Sequence, residues 1–175
     1  MKKILSFCIL FLMIMTLGSC TLKEEKTSSI DKYPEYLRQV AYAEDYMPSI
    51  EQCGNYSSML ATYKKSGDIF FITDTVGLFL SYNEDEYNEQ KEEMLSSFEF
   101  FYPEDEELES DCDAVVDGYN IHLVKQEYPL STYKMGLLIG MNDQMQKICY
   151  LYYYDFDLDI LDDLDFYVRT YFSMP

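Results

Sequence analysis

Carboxylates are the reactive groups this chain has in greatest supply, and they gather in two places. "DFDLDILDDLDF" (155–166) sets Asp155, Asp157 and Asp159 at alternate positions, matching the first three ligand positions of an EF-hand calcium loop. The pattern then departs: Ile160 stands where the sharp turn needs glycine, and Phe166 where a bidentate glutamate closes the shell. Asp157 or Asp159 is therefore read first as a helix cap, with weak calcium binding as the alternative. The second cluster, "YPEDEELESDCD" (102–113), has no apolar stripe and reads as a solvated loop. Paired carboxylates can drive a hydrolase, but acid–base work needs two carboxyls in unlike environments around a cleft. Both clusters read as uniformly solvated.

His122 is the single histidine. In "YNIHLVK" it alternates with Tyr119, Ile121 and Leu123, so it is half-exposed or tucked against a helix. No serine or cysteine is marked as its nucleophilic partner. Asp111, Cys112, Asp113 and His122 lack the spacing of a zinc site, and no glycine-rich phosphate cradle occurs. No catalytic, cofactor or metal residue is assigned, and the chain is read as not an enzyme. Of five cysteines, Cys53, Cys112 and Cys149 lie in the body and permit at most one internal disulfide. Cys53 with Cys112 is the favoured pair, and Cys149 reads as a buried thiol. Eighteen tyrosines and no tryptophan suit core and rim packing, with a recognition surface as the alternative.

The elements that must position these groups follow from periodicity. Pro34 at a first turn, then Tyr36, Leu37, Val40 and Ala41, predict a helix over 34–46 ending before Pro48. "YSSMLATYKK", "IFFIT" and "GLFLSY" read as three strands, the last two a hairpin about "DTVG". Asn83 caps a helix with Tyr87, Lys91, Met94, Leu95 and Phe98 on one face. "AVVD" and "IHLVK" form a strand pair around a "GYN" turn, and "YKMGLLIGM" and "MQKICYLYYYDF" form a clear hairpin. Tyr150, Tyr152 and Tyr154 alternate with Cys149, Leu151 and Tyr153, apolar on both faces, as expected of a mid-sheet strand. Gly136 and Gly140 would leave room for tyrosine rings. A last helix spans Asp159–Phe172, with Arg169 near its end. The expected fold class is α+β: an antiparallel sheet of about six strands, order α-βββ-α-βββ(β)-α, with helices covering one face. Residues 56–98 and 114–172 both read as strands then a helix, compatible with a structural duplication.

Before that body comes "MKKILSFCILFLMIMTLGSC". Lys2 and Lys3 precede an uncharged run from Ile4 to Leu17, too short for a permanent helical anchor, which needs about 20 apolar residues. It has the form of a secretory leader. Leu17-Gly18-Ser19-Cys20 resembles the lipobox of bacterial lipoproteins. The resemblance implies a signal peptide over 1–19 and attachment of a diacylglyceryl group to the Cys20 thiol. Two acyl chains hold firmly where one does not. The resemblance covers only the first 21 residues, and the body is similar in general character to small lipoproteins of low-GC Gram-positive bacteria. Residues 20–33 read as a lipidated cysteine with a flexible tether, spanning roughly 20 Å as a coil, and 34–175 as one globular domain.

Charge then narrows the partners. Thirteen basic and 32 acidic residues give −19 overall, and two of the lysines lie in the leader. So acidic a body excludes surface binding to nucleic acid or anionic head groups. The sequence-level expectation is a lipid-anchored protein on the extracytoplasmic face of the cell membrane, held there through its lipid. It would act as a non-enzymatic binding or envelope-associated module with a protein partner. The alternatives are a hydrolase using paired carboxylates or a weak calcium-binding module.

Overall fold

The computed structural model describes residues 20–67, 72–102, 111–129, 134–155 and 163–175. Its centre is one antiparallel sheet of seven strands in the spatial order β1-β2-β3-β7-β6-β5-β4. The strands are β1 Cys20–Thr27, β2 Ser58–Gly67, β3 Ile72–Ser81, β4 Asp113–Val116, β5 Tyr119–Leu123, β6 Met135–Asn142 and β7 Lys147–Asp155. Among the described residues four α-helices accompany it: α1 Tyr33–Leu37, α2 Ala43–Tyr46, α3 Glu84–Ser97 and α4 Leu164–Tyr171. The class is α+β, with seven strands where about six were expected.

β7 takes the middle of the sheet, paired with β3 on one side and β6 on the other. Its alternation splits as the sequence predicts. Ile148, Tyr150 and Tyr152 face one core, and Cys149, Leu151 and Tyr153 face the other. The first core lies under α1, α2 and α3 and includes Tyr33, Tyr36, Leu37, Val40, Tyr87 and Met94. The second lies under α4, through Leu164, Tyr167 and Val168. Helices therefore cover both faces of the sheet, not one, because a central strand apolar on both sides exposes two surfaces to water unless each is covered. Two three-strand runs, β1–β3 and β5–β7, each followed by a helix, meet at β3 and β7. A rotation superposing those strands would misplace a helix, since α3 and α4 lie on opposite faces.

Three further expectations change. The residues read as a tether begin with an edge strand: β1 pairs with β2 from Cys20↔Gly67 to Thr27↔Ala61, with a bulge between Thr21 and Lys23. Its polar composition is that of an edge strand with no deep face, which periodicity cannot distinguish from coil. "DTVG" is no turn. β3 runs straight through it, with Asp74, Thr75 and Val76 paired to β2 and β7 on either side. Gly77 serves packing there: a Cβ would stand 2.7 Å from Thr62 Oγ1 and 2.9 Å from Phe79 Cε2. Third, the helix predicted over 34–46 is two short ones, broken where Tyr42 takes a left-handed φ of 63°.

Long-range tyrosine hydroxyls hold this irregular stretch. Tyr152 donates to the Ala41 carbonyl at 3.0 Å, Tyr33 to that of Pro48 at 2.9 Å, and Tyr82 to that of Cys53 at 2.9 Å. Each ring packs in the first core while its hydroxyl satisfies a carbonyl that no ladder reaches. Elsewhere the local signals operate as read. Asn83 Oδ1 accepts from the Glu86 N–H at 3.0 Å, Pro34 sits in the first turn of α1, and Arg169 in the last turn of α4.

Candidate functional site

Among the described residues a cleft of about 420 Å³ lies between the α2–Gln52 segment and α3, floored by Tyr150 of β7. Each wall has a sequence cause. After the break at Tyr42, α2 places Glu44 and Asp45 on the rim and continues into Met47 and Pro48. Gln52 is fixed by a capping box: its Oε1 accepts from the Ser49 N–H at 2.7 Å. Opposite, α3 turns Gln90, Glu93 and Met94 toward the cleft, at positions one helical turn apart. The Gln90 amide packs on Gly54, where a Cβ would come within 2.6 Å of it. Gly54 has a φ of +63°, so that position is reserved for glycine both by backbone and by space.

The cleft is apolar below and anionic above. Tyr150, Met47 and Met94 are buried, while Glu44, Asp45 and Glu93 are exposed. Burial pushes the Tyr150 hydroxyl well above the ordinary tyrosine range, so at neutral pH it is a neutral donor. Glu44 faces Arg38 at 3.9 Å, and Glu93 accepts from Gln90 Nε2 at 3.1 Å. Tyr46 flanks the site, stacked on Tyr152 with ring centroids 5.9 Å apart and planes 7° from parallel. Its hydroxyl donates to the Glu127 carbonyl at 3.2 Å. Three solvated carboxylates over thioether and aromatic surface suit a cation carried on an apolar stem. They do not supply the unlike pair that acid–base chemistry requires, because all three share the same wet environment.

The residues singled out in sequence do not converge on this cleft. Asp155 ends β7 and accepts from Thr73 Oγ1 at 2.7 Å. That bond gives it a structural partner. Asp157 and Asp159 lie outside the described residues, as does 103–110 of the acidic loop. The cap of α4 is Asp163, whose Oδ1 accepts from the Phe166 N–H at 2.8 Å, so the capping role falls later than Asp157 or Asp159. His122 pairs across the strands with Asp113 and meets the Phe100 ring edge-on at 5.9 Å. Among the described residues no group of three His, Cys, Asp or Glu side chains is placed to hold a metal ion.

None of Cys53, Cys112 and Cys149 is in a disulfide, and all three are buried. The favoured pair is excluded by the fold: Cys53 belongs to the core under α1–α3 and Cys112 to the core under α4. Burial, with the Glu51 carboxylate adding to it, pushes the Cys53 thiol up to about 12. It is therefore a poor nucleophile at neutral pH. Cys20 opens β1, and the leader 1–19 lies outside the described residues. No helix among the described residues is long and apolar enough to cross a membrane. Sequence reasoning missed the cleft because its parts come from 44–52, 90–98 and 150, and neither Glu44 nor Glu93 stands in an acidic run that drew notice. Compared with known families, curated proteins and solved structures, the chain finds no match.

Proposed function

We propose that this protein is a lipid-anchored, extracytoplasmic binding module that takes a cationic ligand segment in the cleft between α2 and α3. The anchor part of the reading rests on the Leu17-Gly18-Ser19-Cys20 lipobox. The single observation that carries the binding part is the cleft's vertical division, with Glu44, Asp45 and Glu93 above Met47, Met94 and Tyr150. A lysine or arginine side chain from a protein partner satisfies both layers, methylenes on the floor and charge at the rim. Association by so acidic a body is steered electrostatically and weakens with salt.

Titrating the protein with an oligolysine peptide, followed by calorimetry, tests this. Each exposed ion pair contributes roughly 0.5–1 kcal/mol, so Glu44→Gln and Glu93→Gln are each expected to weaken binding by about 2- to 5-fold, with the melting temperature unchanged. Equal affinity in the wild type and the double variant would remove the cleft from the reading. The anchor is tested separately. Cys20→Ala is expected to leave the detergent phase or to accumulate unprocessed, and unchanged partitioning contradicts it.

A further inference from the structure

We infer that the domain stands on the membrane by one end of its sheet, the end where β1 begins, with the floor of the cleft and α3 held away from the lipid. This deepens the anchor reading and rests on it. A flexible tether would let the domain swing through about 20 Å, but β1 starts at Cys20 itself. Cys20 pairs with Gly67 and Thr21 with Ser66, so no spacer separates the attachment residue from the first ladder row. Chains on the Cys20 thiol would therefore leave directly from a corner of the sheet.

The register identifies what shares that end. Gly67 pairs with Ile72, Thr73 with Asp155, and the Asp155 N–H donates to the Lys134 carbonyl. The start of β1, the end of β2, the start of β3, the end of β7 and the start of β6 are thus at one level. Leu22, the extra residue of the β1 bulge, is 52% exposed two positions from the attachment residue. An exposed leucine at that place enters an interface favourably and is a liability in water. At the far end, Tyr87 and Lys91 of α3 both donate to Asp143 of the β6–β7 turn, at 2.5 and 2.6 Å. Tyr150, the cleft floor, lies five residues along β7 from Asp155, about 17 Å at the strand rise. That is about two Debye lengths at physiological ionic strength. The cleft floor and its α3 wall accordingly lie away from an anionic head-group layer, while α2, with Tyr46 on Tyr152 and Tyr42 on Tyr154, lies nearer to it.

The two ends of the β6–β7 hairpin read this orientation. Lys134→Cys and Gln144→Cys, made singly in the full chain and processed in the host, carry a thiol-reactive fluorophore. The native thiols are buried and shielded. The lipidated proteins go into phosphatidylcholine vesicles containing head-group nitroxide lipid. Quenching several-fold greater at position 134 than at 144 is expected, and a Gly-Ser spacer inserted after Cys20 is expected to abolish the contrast. Ile72→Cys provides a second position at the membrane end should Lys134→Cys lower the melting temperature. Equal or reversed quenching, with mass spectrometry showing acylated Cys20, overturns the orientation and leaves the anchor standing. A bare Cys20 in protein from host membranes overturns the anchor and the orientation with it.

Discussion

The tyrosine hydroxyls do work that aromatic core residues alone cannot. Tyr152 is fully buried, and its hydroxyl reaches across 111 residues of chain to the Ala41 carbonyl. That carbonyl belongs to the stretch between α1 and α2, where no helix or strand partner exists. Tyr152→Phe keeps the ring and removes the bond, leaving a carbonyl short of its donor. The cost is about 1 kcal/mol, which for a body of this size lowers the melting temperature by about 2–4 °C. Thermal denaturation measures it, and an unchanged midpoint would show that water replaces the hydroxyl freely. Composition alone revealed the excess of tyrosine and its packing role. It could not reveal the carbonyls, because those partners lie 15 to 111 residues away and carry no side-chain signature.

At the level of elements, glycine positions separate what periodicity reads from what it misreads. Gly136 lies opposite Tyr153, and a Cβ there would stand 2.9 Å from that hydroxyl, so its space serves a tyrosine ring as expected. Gly140 instead faces Cys149, whose Sγ would lie 2.6 Å from a Cβ, with Ile121 Cγ1 at 3.0 Å. Gly140→Ala overpacks this core and is expected to cost about 1–3 kcal/mol. Cys149→Ala in the same chain should restore part of the loss, since the two changes exchange volume within one contact. Denaturant melts of both single variants and the double variant would show it; strict additivity would mean the strain lies elsewhere. The hairpin β6–β7, the Asn83 cap and the first-turn Pro34 were all legible, because local pattern and tertiary structure agree there. The turn read at "DTVG" was not. Asp and Gly are turn residues by propensity, yet Asp74 bonds Tyr63 and Lys65 across the ladder and Gly77 yields space to Phe79. β1 was hidden for the complementary reason, as an edge strand needs no apolar alternation. The cleft was illegible because three separate segments build it.

For the whole molecule, buried phenols set the alkaline limit. Burial raises Tyr33, Tyr82, Tyr152, Tyr153 and Tyr167 well above the ordinary tyrosine value, and brings Tyr63 and Tyr128 to about 12. The folded values exceed the unfolded value of about 10, so folding favours the protonated phenols. That contribution is complete below pH 10 and is lost as pH climbs through the folded values. Absorbance at the tyrosinate band and far-UV circular dichroism should therefore change together above pH 10. Gradual ionisation with an unchanged dichroism spectrum would contradict the coupling. The sign is opposite in acid. Hydrogen bonds from Lys91 and Tyr87 hold the Asp143 carboxyl below its usual range, and one from Ser173 does the same for Glu24. Their contribution is present above the unfolded carboxylate value and fades as pH falls.

The pairing of β3 with β7 also governs when this chain can fold. β3 ends at Ser81 and its central neighbour begins only at Lys147. The middle of the sheet thus stays open until the last sixth of the polypeptide has begun to emerge from the ribosome. Until then Val76, Leu78, Phe79 and Leu80 have one side without a strand, a slow and exposed condition for so non-local a topology. A chain wired in this way cannot close its sheet until nearly all of it has been made.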